Sequence, residues 1–224
     1  MKIKLQALAS TLIGLVVFAA VLFWPAGTLD YWQAWVFTAV FLVTTLTPSV
    51  YLAVRHPEVL ARRMKAGPTA ETRPVQRLVI TAVMVLVLAT FVLCALDHRF
   101  GWSHVPTWLT LLANLLVGVG LGITQLVIVQ NNFAGASITV EPGQTLVSTG
   151  LYGVVRHPMY SGAALMMFAT PPALDSLWGL AGVAAAAPLM VARILDEEKM
   201  LTEELPGYRE YTRQVRARLI PGVW

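Results

Sequence analysis

The chain has 224 residues, of which 57% are hydrophobic and 12% charged, and its formal net charge is +4. A soluble globular domain has about twice that share of charged residues, so the composition indicates an integral membrane protein. The single cysteine excludes an internal disulfide and argues against a metal site built from several thiolates. Because the basic residues border apolar segments, a membrane surface is favoured over a nucleic acid as their partner.

The first 130 residues contain four apolar runs that are long enough to cross a bilayer as helices, since a crossing takes about 20 residues. They are residues 5–23, 31–54, 78–96 and 108–130. The first run is longer than the ~7–15 apolar residues of a cleaved signal peptide, so we expect it to be retained as a span. Two shorter runs, 159–171 and 177–192, flank a few turn-forming residues and predict a tight helical hairpin.

The basic residues predict how these spans are oriented. If Lys2 and Lys4 lie in the cytoplasm, six spans place every lysine and arginine except Arg99 on the cytoplasmic side, as the positive-inside rule requires. Aromatic residues near the ends of the runs are expected to act as interfacial anchors: Trp24, Tyr31, Trp32, Trp35, Trp102, Trp108 and Trp178. We therefore predict an all-α integral membrane protein of the inner or plasma membrane, with about six transmembrane helices and both termini in the cytoplasm.

Two cytoplasmic segments flank the hairpin. The connector 131–156 contains Gly and Pro residues between short β-branched runs, which predicts turns and short extended pieces. The tail begins as a helix at Arg193, breaks at Pro206 and Gly207, and is expected to resume as a helix over 208–219.

The sequence Val-Arg-His-Pro occurs twice, at 54–57 and at 155–158. In the second copy the proline suits the first turn of the fifth helix, and His157 and Tyr160 then lie one turn apart on one face. This pattern fits either an interfacial cap, with Arg156 reaching lipid phosphates, or part of a binding site. The first copy lacks the tyrosine, and we interpret it as an end signal that contacts anionic lipid.

Charged residues also occur where the sixth span ends. Arg193 and Glu197 are four residues apart and share a helix face, whereas Glu198 points elsewhere. They form either a simple surface pair or a clamp in which the glutamate takes an ammonium group and the arginine a carboxylate. The glycines of 118–122 lack a preceding strand, so we interpret them as small residues for close helix packing, with Asn114 and Gln125 bonding between helices.

The run from "GQTLVSTGLYGVVRHPMYSG" through the hairpin to "RILDEEKMLTEELPGYREYTRQVRARLIPGVW" resembles the isoprenylcysteine carboxyl methyltransferase family of membrane enzymes. The resemblance implies a methyltransferase that binds S-adenosylmethionine without a soluble domain and releases S-adenosylhomocysteine. It also implies one membrane domain over 1–224, with four helices in 1–130 and a cofactor-binding catalytic region in 131–224.

The resemblance assigns roles to individual residues and implies no metal site. Glu197 is implied to bind the cofactor's ammonium group, and Arg193 to face the methyl acceptor. The other implied cofactor contacts are Gln144, Thr145, Leu146, Val147, Tyr152, His157, Pro158, Met159 and Tyr160.

Three alternatives to a carboxyl methyltransferase acting on a lipid-like or isoprenylated acceptor remain open. A phospholipid or small-amine N-methyltransferase would use the same cofactor pocket with a different acceptor. A membrane reductase of the steroid-reductase type would bind a nicotinamide cofactor instead. A transporter is disfavoured because the spans carry almost no charged residues near their centres.

Overall fold

The structure is a computed structural model that describes residues 2–55, 57–64, 67–71, 73–134, 140 and 143–224. Within these ranges the regular elements are helices, and the extended pieces predicted in the connector form no strand there. The long helices are α1 (Lys2–Ala26), α2 (Trp32–Arg55), α4 (Pro74–Phe100), α5 (Thr107–Gln130), α6 (Pro158–Ala173) and α7 (Gly179–Glu204). The short ones are α3 (Pro57–Met64) and α8 (Tyr208–Gln214).

Four of these helices are long and apolar enough to cross a membrane, namely α2, α4, α5 and α7, and α1 contains a shorter apolar stretch, Leu12–Ala26. The all-helical membrane fold expected from composition is therefore confirmed. Helix ends follow local signals: α4 begins at Pro74 and is capped after Phe100 by Gly101, whose left-handed backbone (φ 63°) lets its N–H reach the carbonyl of Asp97.

Glycines bring α5 and α6 into close contact. A Cβ atom on Gly120 would lie 2.6 Å from the carbonyl oxygen of Gly162, and one on Gly162 would lie 2.6 Å from the carbonyl oxygen of Gly120. The interpretation of residues 118–122 as a packing surface is confirmed. Asn114 also bonds between helices as expected, because its side-chain N–H donates to the carbonyl of Ala173.

The hairpin formed by α6 and α7 is closed at one end and separates towards the other. Helix α6 packs chiefly against α5 and α7 chiefly against α4, so the two hairpin helices make fewer contacts with each other than with those partners. At the closed end, the buried carboxylate of Asp97 accepts hydrogen bonds from the hydroxyls of Ser103 and Ser176, both at 2.6 Å. The other ends of α6 and α7, the start of α6 and the C-terminal half of α7, are left to enclose a cavity.

Tyr31 is not the interfacial anchor that its position predicts. It is fully buried, its ring stacks on His98, and its hydroxyl donates to the carbonyl of Leu174 at 2.6 Å. The hairpin turn exposes carbonyls that need a donor, and Tyr31 supplies one. The tryptophans predicted as anchors are exposed, as expected: Trp24, Trp32, Trp35, Trp102, Trp108 and Trp178.

The tail differs from the sequence prediction in two respects. The sixth span and the first tail helix are one continuous helix, α7, and α8 ends at Gln214 rather than at residue 219. The segment after α8 pairs with the connector instead: the carbonyls of Ala217 and Arg218 accept the backbone N–H groups of Arg156 and His157. These two hydrogen bonds replace the backbone hydrogen bonds that a longer α8 would have made.

The first Val-Arg-His-Pro copy leads from α2 into α3, where Pro57 is the first residue, and its histidine lies outside the described residues. Leu52, Val59 and Leu60 pack together with Ile128 of α5 and touch Met159. This copy therefore marks the junction of two helices, and the lipid contact expected of it stays a prediction.

Candidate active site

A cavity of about 310 Å³ lies between the connector, the start of α6, the C-terminal half of α7 and α8. All of the side chains singled out from the sequence as catalytic or cofactor-binding line this cavity. Segments that are separated by more than 50 positions in the chain are brought together at this end of α6 and α7.

Tyr160 connects the two helices that enclose the cavity. Pro158 occupies the first turn of α6, which places Tyr160 one turn from His157 as expected. The Tyr160 hydroxyl donates to Glu197 Oε2 at 2.7 Å and accepts from Arg193 Nε at 3.1 Å. Arg193 and Glu197 therefore interact through the tyrosine rather than as the direct pair suggested by their spacing.

Arg193 is also held by one residue that precedes α4 and one in its first turn. Its Nη2 donates to Glu71 Oε1 at 2.8 Å and its Nη1 donates to Gln76 Oε1 at 2.9 Å. Glu71 is 2% exposed and Arg193 is 8% exposed, so this is a buried ion pair. Sequence reasoning missed Glu71 and Gln76 because they lie more than 100 positions away from Arg193, in the segment 55–77 between the second and third apolar runs, where the basic residues outnumber the acidic ones.

The same loop is attached to α7 by a second ion pair. Arg73 Nη2 lies 2.9 Å from Asp196 Oδ1, and Arg77 Nε donates to the backbone carbonyl of Glu71. Asp196 also accepts a hydrogen bond from the Gln76 side chain. The loop before α4 is thus part of the support of the site.

Glu198 faces away from the cavity, as its position on the helix predicts, but it holds the tail in place. Its Oε1 accepts from Arg156 Nε at 2.7 Å, its Oε2 accepts from Arg218 Nε at 2.9 Å, and His157 Nε2 lies 3.3 Å from Oε1. The Arg156 guanidinium also donates to the carbonyls of Val215 and Arg216. Arg156 therefore holds the tail against α7 and does not extend to lipid phosphates.

An aromatic and apolar wall closes the cavity on the tail side. Leu146 packs against Leu205, Tyr208 and Tyr211, and the Tyr211 hydroxyl donates to the carbonyl of Tyr152 at 2.7 Å. Among the described residues, the buried Tyr208 hydroxyl has no hydrogen-bond partner. Burial raises the pKa of Tyr152 and of Tyr211 above the usual 10, so both phenols stay neutral at physiological pH.

Asn131 is a further residue of the cavity that the sequence did not single out. Its side-chain N–H donates to the Tyr152 hydroxyl at 3.1 Å. Among the described residues, no group of three His, Cys, Asp or Glu side chains is placed to hold a metal ion.

Comparison with known proteins identifies the chemistry of this region. Residues 108–208, which contain α5, α6, α7 and most of the cavity wall, match the model of the phospholipid methyltransferase family. The methyltransferase predicted from the sequence is thereby confirmed, and methyltransferases of this kind use S-adenosylmethionine.

Two further proteins are similar to this chain. The cobalt-zinc-cadmium resistance protein CzcN of Cupriavidus metallidurans is 28% identical over 164 residues, which cover 72% of this chain and 69% of that protein. The solved structure of a eukaryotic intramembrane Ras methyltransferase, isoprenylcysteine carboxyl methyltransferase, aligns with a TM-score of 0.46 and 18% identity. That alignment covers 96% of this chain and 86% of the other.

Proposed function

We propose that the cavity binds S-adenosylmethionine and that the enzyme transfers its methyl group to the polar end of an amphiphilic acceptor. The observation that carries this proposal is the shared cavity of the connector, the start of α6 and the end of α7 within a methyltransferase domain. In it, Glu197 binds the cofactor's ammonium group, while Leu146, Val147, Tyr152 and the neighbouring tail residues enclose the adenosine. The remaining contacts would come from Gln144, Thr145, His157, Pro158, Met159 and Tyr160.

Methyl transfer does not require the protein to form a covalent bond with the donor or the acceptor. The acceptor donates an electron pair to the methyl carbon, the carbon–sulfur bond breaks, and S-adenosylhomocysteine leaves with that bonding pair. Holding donor and acceptor in line contributes ~7–11 kcal/mol in favourable cases, so positioning is the main task of the site. A carboxylate acceptor loses no proton, and Arg193 would orient it by hydrogen bonds.

A lipid-like acceptor suits the surroundings of Arg193. Ile80 of α4 and Ala163 of α6 line the cavity together with Arg193, and α4 and α7 are long and apolar enough to cross a membrane. An acyl or isoprenyl tail would lie along these helices while the head reaches Tyr160 and Arg193. Isoprenylated or other lipid carboxylates are therefore the first class of acceptor that we propose.

A phospholipid amine is the second class, and one specific observation favours it. The positive charge of Arg193 is already offset by Glu71, so the arginine offers hydrogen bonds more than a free charge to an incoming anion. An amine gives its lone pair to the methyl carbon and afterwards releases a proton. The family description, phospholipid methyltransferase, agrees with this class.

We further propose a topology of six spans with both termini and the cavity in the cytoplasm, within one domain over 1–224. Four helices in 1–130 would form the scaffold and 131–224 the catalytic region. The asymmetry of lysine and arginine supports this orientation, because Arg99 would alone lie on the far side. Helices α1 and α6 would complete the four longer spans.

The function is tested with purified protein in lipid, isotope-labelled S-adenosylmethionine and a total lipid extract. We expect a labelled lipid product, and its hydrolysis by mild base separates a methyl ester from a methylated amine. Calorimetry should detect binding of S-adenosylhomocysteine and no binding of a nicotinamide nucleotide. Binding of the nicotinamide nucleotide alone would contradict the proposal.

A further inference from the structure

The turn 219–224, which follows α8 in the chain, presents apolar side chains outward. Val223 is 77% exposed, and Ile220 is also more than half exposed. The turn itself is ordered by hydrogen bonds, because the carbonyl of Trp224 accepts the backbone N–H groups of Leu219 at 2.9 Å and of Ile220 at 3.1 Å. Two branched aliphatic side chains are thus held outward by a closed turn, and what covers them depends on where the turn lies.

The turn lies at the start of the lipid-facing side of α6. The Ser161 hydroxyl, in the first turn of α6, donates to the carbonyl of Leu219 at 2.7 Å. Phe168 lies on the same face of the helix as Ser161, because seven residues make almost two full turns. Phe168 is 58% exposed, as expected of a side chain that faces acyl chains. If α6 is a span, the turn therefore lies where the hydrocarbon layer meets the lipid headgroups.

The composition of the tail fits an anionic bilayer surface. Residues 208–224 contain four arginines and one glutamate, so this segment carries a net positive charge. Three of these arginines have exposed side chains, namely Arg209, Arg213 and Arg216. Arginine is attracted to anionic headgroups, and tryptophan is enriched at the headgroup level of a bilayer. A bilayer that contains anionic lipid therefore matches both the apolar and the charged side chains of the tail.

The same turn is connected to the wall of the candidate site. The guanidinium of Arg218 lies over the Trp224 ring, 5.2 Å from its centroid, and its Nε donates to Glu198 of α7 at 2.9 Å. The carbonyl of Arg218 accepts the backbone N–H of His157, which lines the cavity. A partner that holds the turn would therefore also hold the segment that joins the start of α6 to α7.

Resting on the function and topology proposed above, we propose that the turn 219–224 is a membrane-contact element that binds the anionic lipid interface and thereby supports the cofactor site. Ile220 and Val223 enter the outer part of the acyl layer, and the Trp224 ring lies among the headgroups. The exposed arginines of the tail contact lipid phosphates. Cofactor affinity then depends on lipid that touches neither the donor nor the acceptor.

The contact is tested with single cysteines at Val223, Phe168 and Glu210 in the Cys94→Ala background, each labelled with bimane. The full-length protein is placed in vesicles of phosphatidylcholine and phosphatidylglycerol, with or without bromine on the acyl chains. We expect brominated lipid to quench the label at Phe168 and at Val223. The label at Glu210 should keep its fluorescence, because this exposed carboxylate of α8 belongs in water.

Each other pattern of quenching contradicts the proposal. If Phe168 is quenched and Val223 behaves like Glu210, the turn does not touch lipid and the proposal alone fails. If Phe168 is not quenched, α6 lies outside the bilayer, and the proposed topology fails with it. Cross-linking of two chains through a cysteine at Val223, without quenching, would show that a second copy covers the turn instead.

The support given to the site is tested with Val223→Asp and its matched control Val223→Leu in the same vesicles. The Val223 side chain is mostly exposed, so its replacement removes little packing within the protein. We expect the Kd of S-adenosylhomocysteine to rise about threefold or more in Val223→Asp, because an aspartate loses the apolar contact with lipid. Val223→Leu keeps that contact and should stay within about twofold of wild type.

The outcomes separate this proposal from the proposed function. An unchanged Kd in Val223→Asp, or an equal loss in Val223→Leu, would refute the link between the turn and the site. If Val223→Asp does not yield folded protein, Ile220→Asp replaces it with the same expected rise. If wild-type protein does not bind S-adenosylhomocysteine, the proposed function and the link both fail, whereas quenching still decides the lipid contact.

Discussion

At the scale of single residues, adjacent glutamates of α7 have different surroundings. Glu197 faces the cavity and accepts one hydrogen bond from Tyr160, whereas Glu198 faces the tail and contacts Arg156, His157 and Arg218. A rotation of about 100° around the helix thus separates a residue available to a ligand from one that binds the protein's own side chains.

Substituting these two glutamates should separate binding from stability. Glu197→Gln should weaken S-adenosylhomocysteine binding by about tenfold or more, because a charge-assisted bond to the ammonium group is lost, with little change in melting temperature. Glu198→Gln should instead lower the melting temperature in detergent, because Arg156 loses its buried counter-ion. Calorimetry and thermal unfolding measure the two effects; the reverse pattern would contradict the assignment.

Tyr208 and Tyr211 form a second informative pair. The Tyr211 hydroxyl donates to the carbonyl of Tyr152, whereas the buried Tyr208 hydroxyl has no partner in the part of the chain that the structure describes. Tyr211→Phe should cost about 1 kcal/mol of stability, while Tyr208→Phe should be neutral or stabilising in the ligand-free protein. Equal destabilisation of both variants, measured by thermal unfolding, would show that the Tyr208 hydroxyl is bonded after all.

Sequence reasoning succeeded at this scale where residues are close in the chain and failed where they are not. The resemblance to a known family could group His157, Tyr160 and Glu197, because it matches their order and spacing along the chain. Glu71 could not, since nothing in a basic loop indicates that one of its carboxylates pairs with an arginine 122 positions later. Pairing across helices depends on packing that no local pattern encodes.

At the scale of elements, the close contact between α5 and α6 depends on Gly120 and Gly162, which have no side chain to hold the two backbones apart. The predicted small-residue surface was correct because glycines in membrane helices permit backbones to approach closely. Helix boundaries were less accurate: α8 is shorter than predicted because the connector competes for the tail's carbonyls. The spacing of apolar residues along a helix cannot predict such competition between segments.

Gly120→Val should disrupt the packing of α6. A Cβ at this position would lie 2.6 Å from a backbone oxygen and 2.8 Å from the backbone nitrogen of Met166, so neither neighbour can move aside easily. We expect a lower melting temperature and reduced cofactor affinity, because α6 carries Tyr160. Gly122→Val, with nothing within 4 Å of its Cβ, is the control and should behave like wild type.

At the scale of the whole molecule, composition and hydropathy predicted the helical membrane fold well, because a bilayer admits few other backbones for such a chain. The buried polar cluster around Asp97 was not foreseen. Apolar runs in a sequence predict where helices lie, but they do not predict which end of the helix bundle is held together by buried polar side chains.

The proposed orientation is tested by labelling single cysteines in the Cys94→Ala background. A cysteine at exposed Arg213 should react with a membrane-impermeant maleimide only after cells are opened, and one at exposed Gly101 should react in intact cells. Reaction of Arg213→Cys in intact cells would invert the topology and place the cavity outside.

The serine–aspartate cluster at the hairpin turn has a consequence for the candidate site at the opposite ends of α6 and α7. Ser176 lies just before α7 and bonds to Asp97 of α4, whereas Arg193 lies in the C-terminal half of α7 and bonds to Tyr160 of α6. Because α7 is one continuous helix between these two positions, a substitution such as Ser176→Ala would alter the placement of Arg193 against Tyr160. Its effect would then be measured as altered catalysis rather than as a local defect.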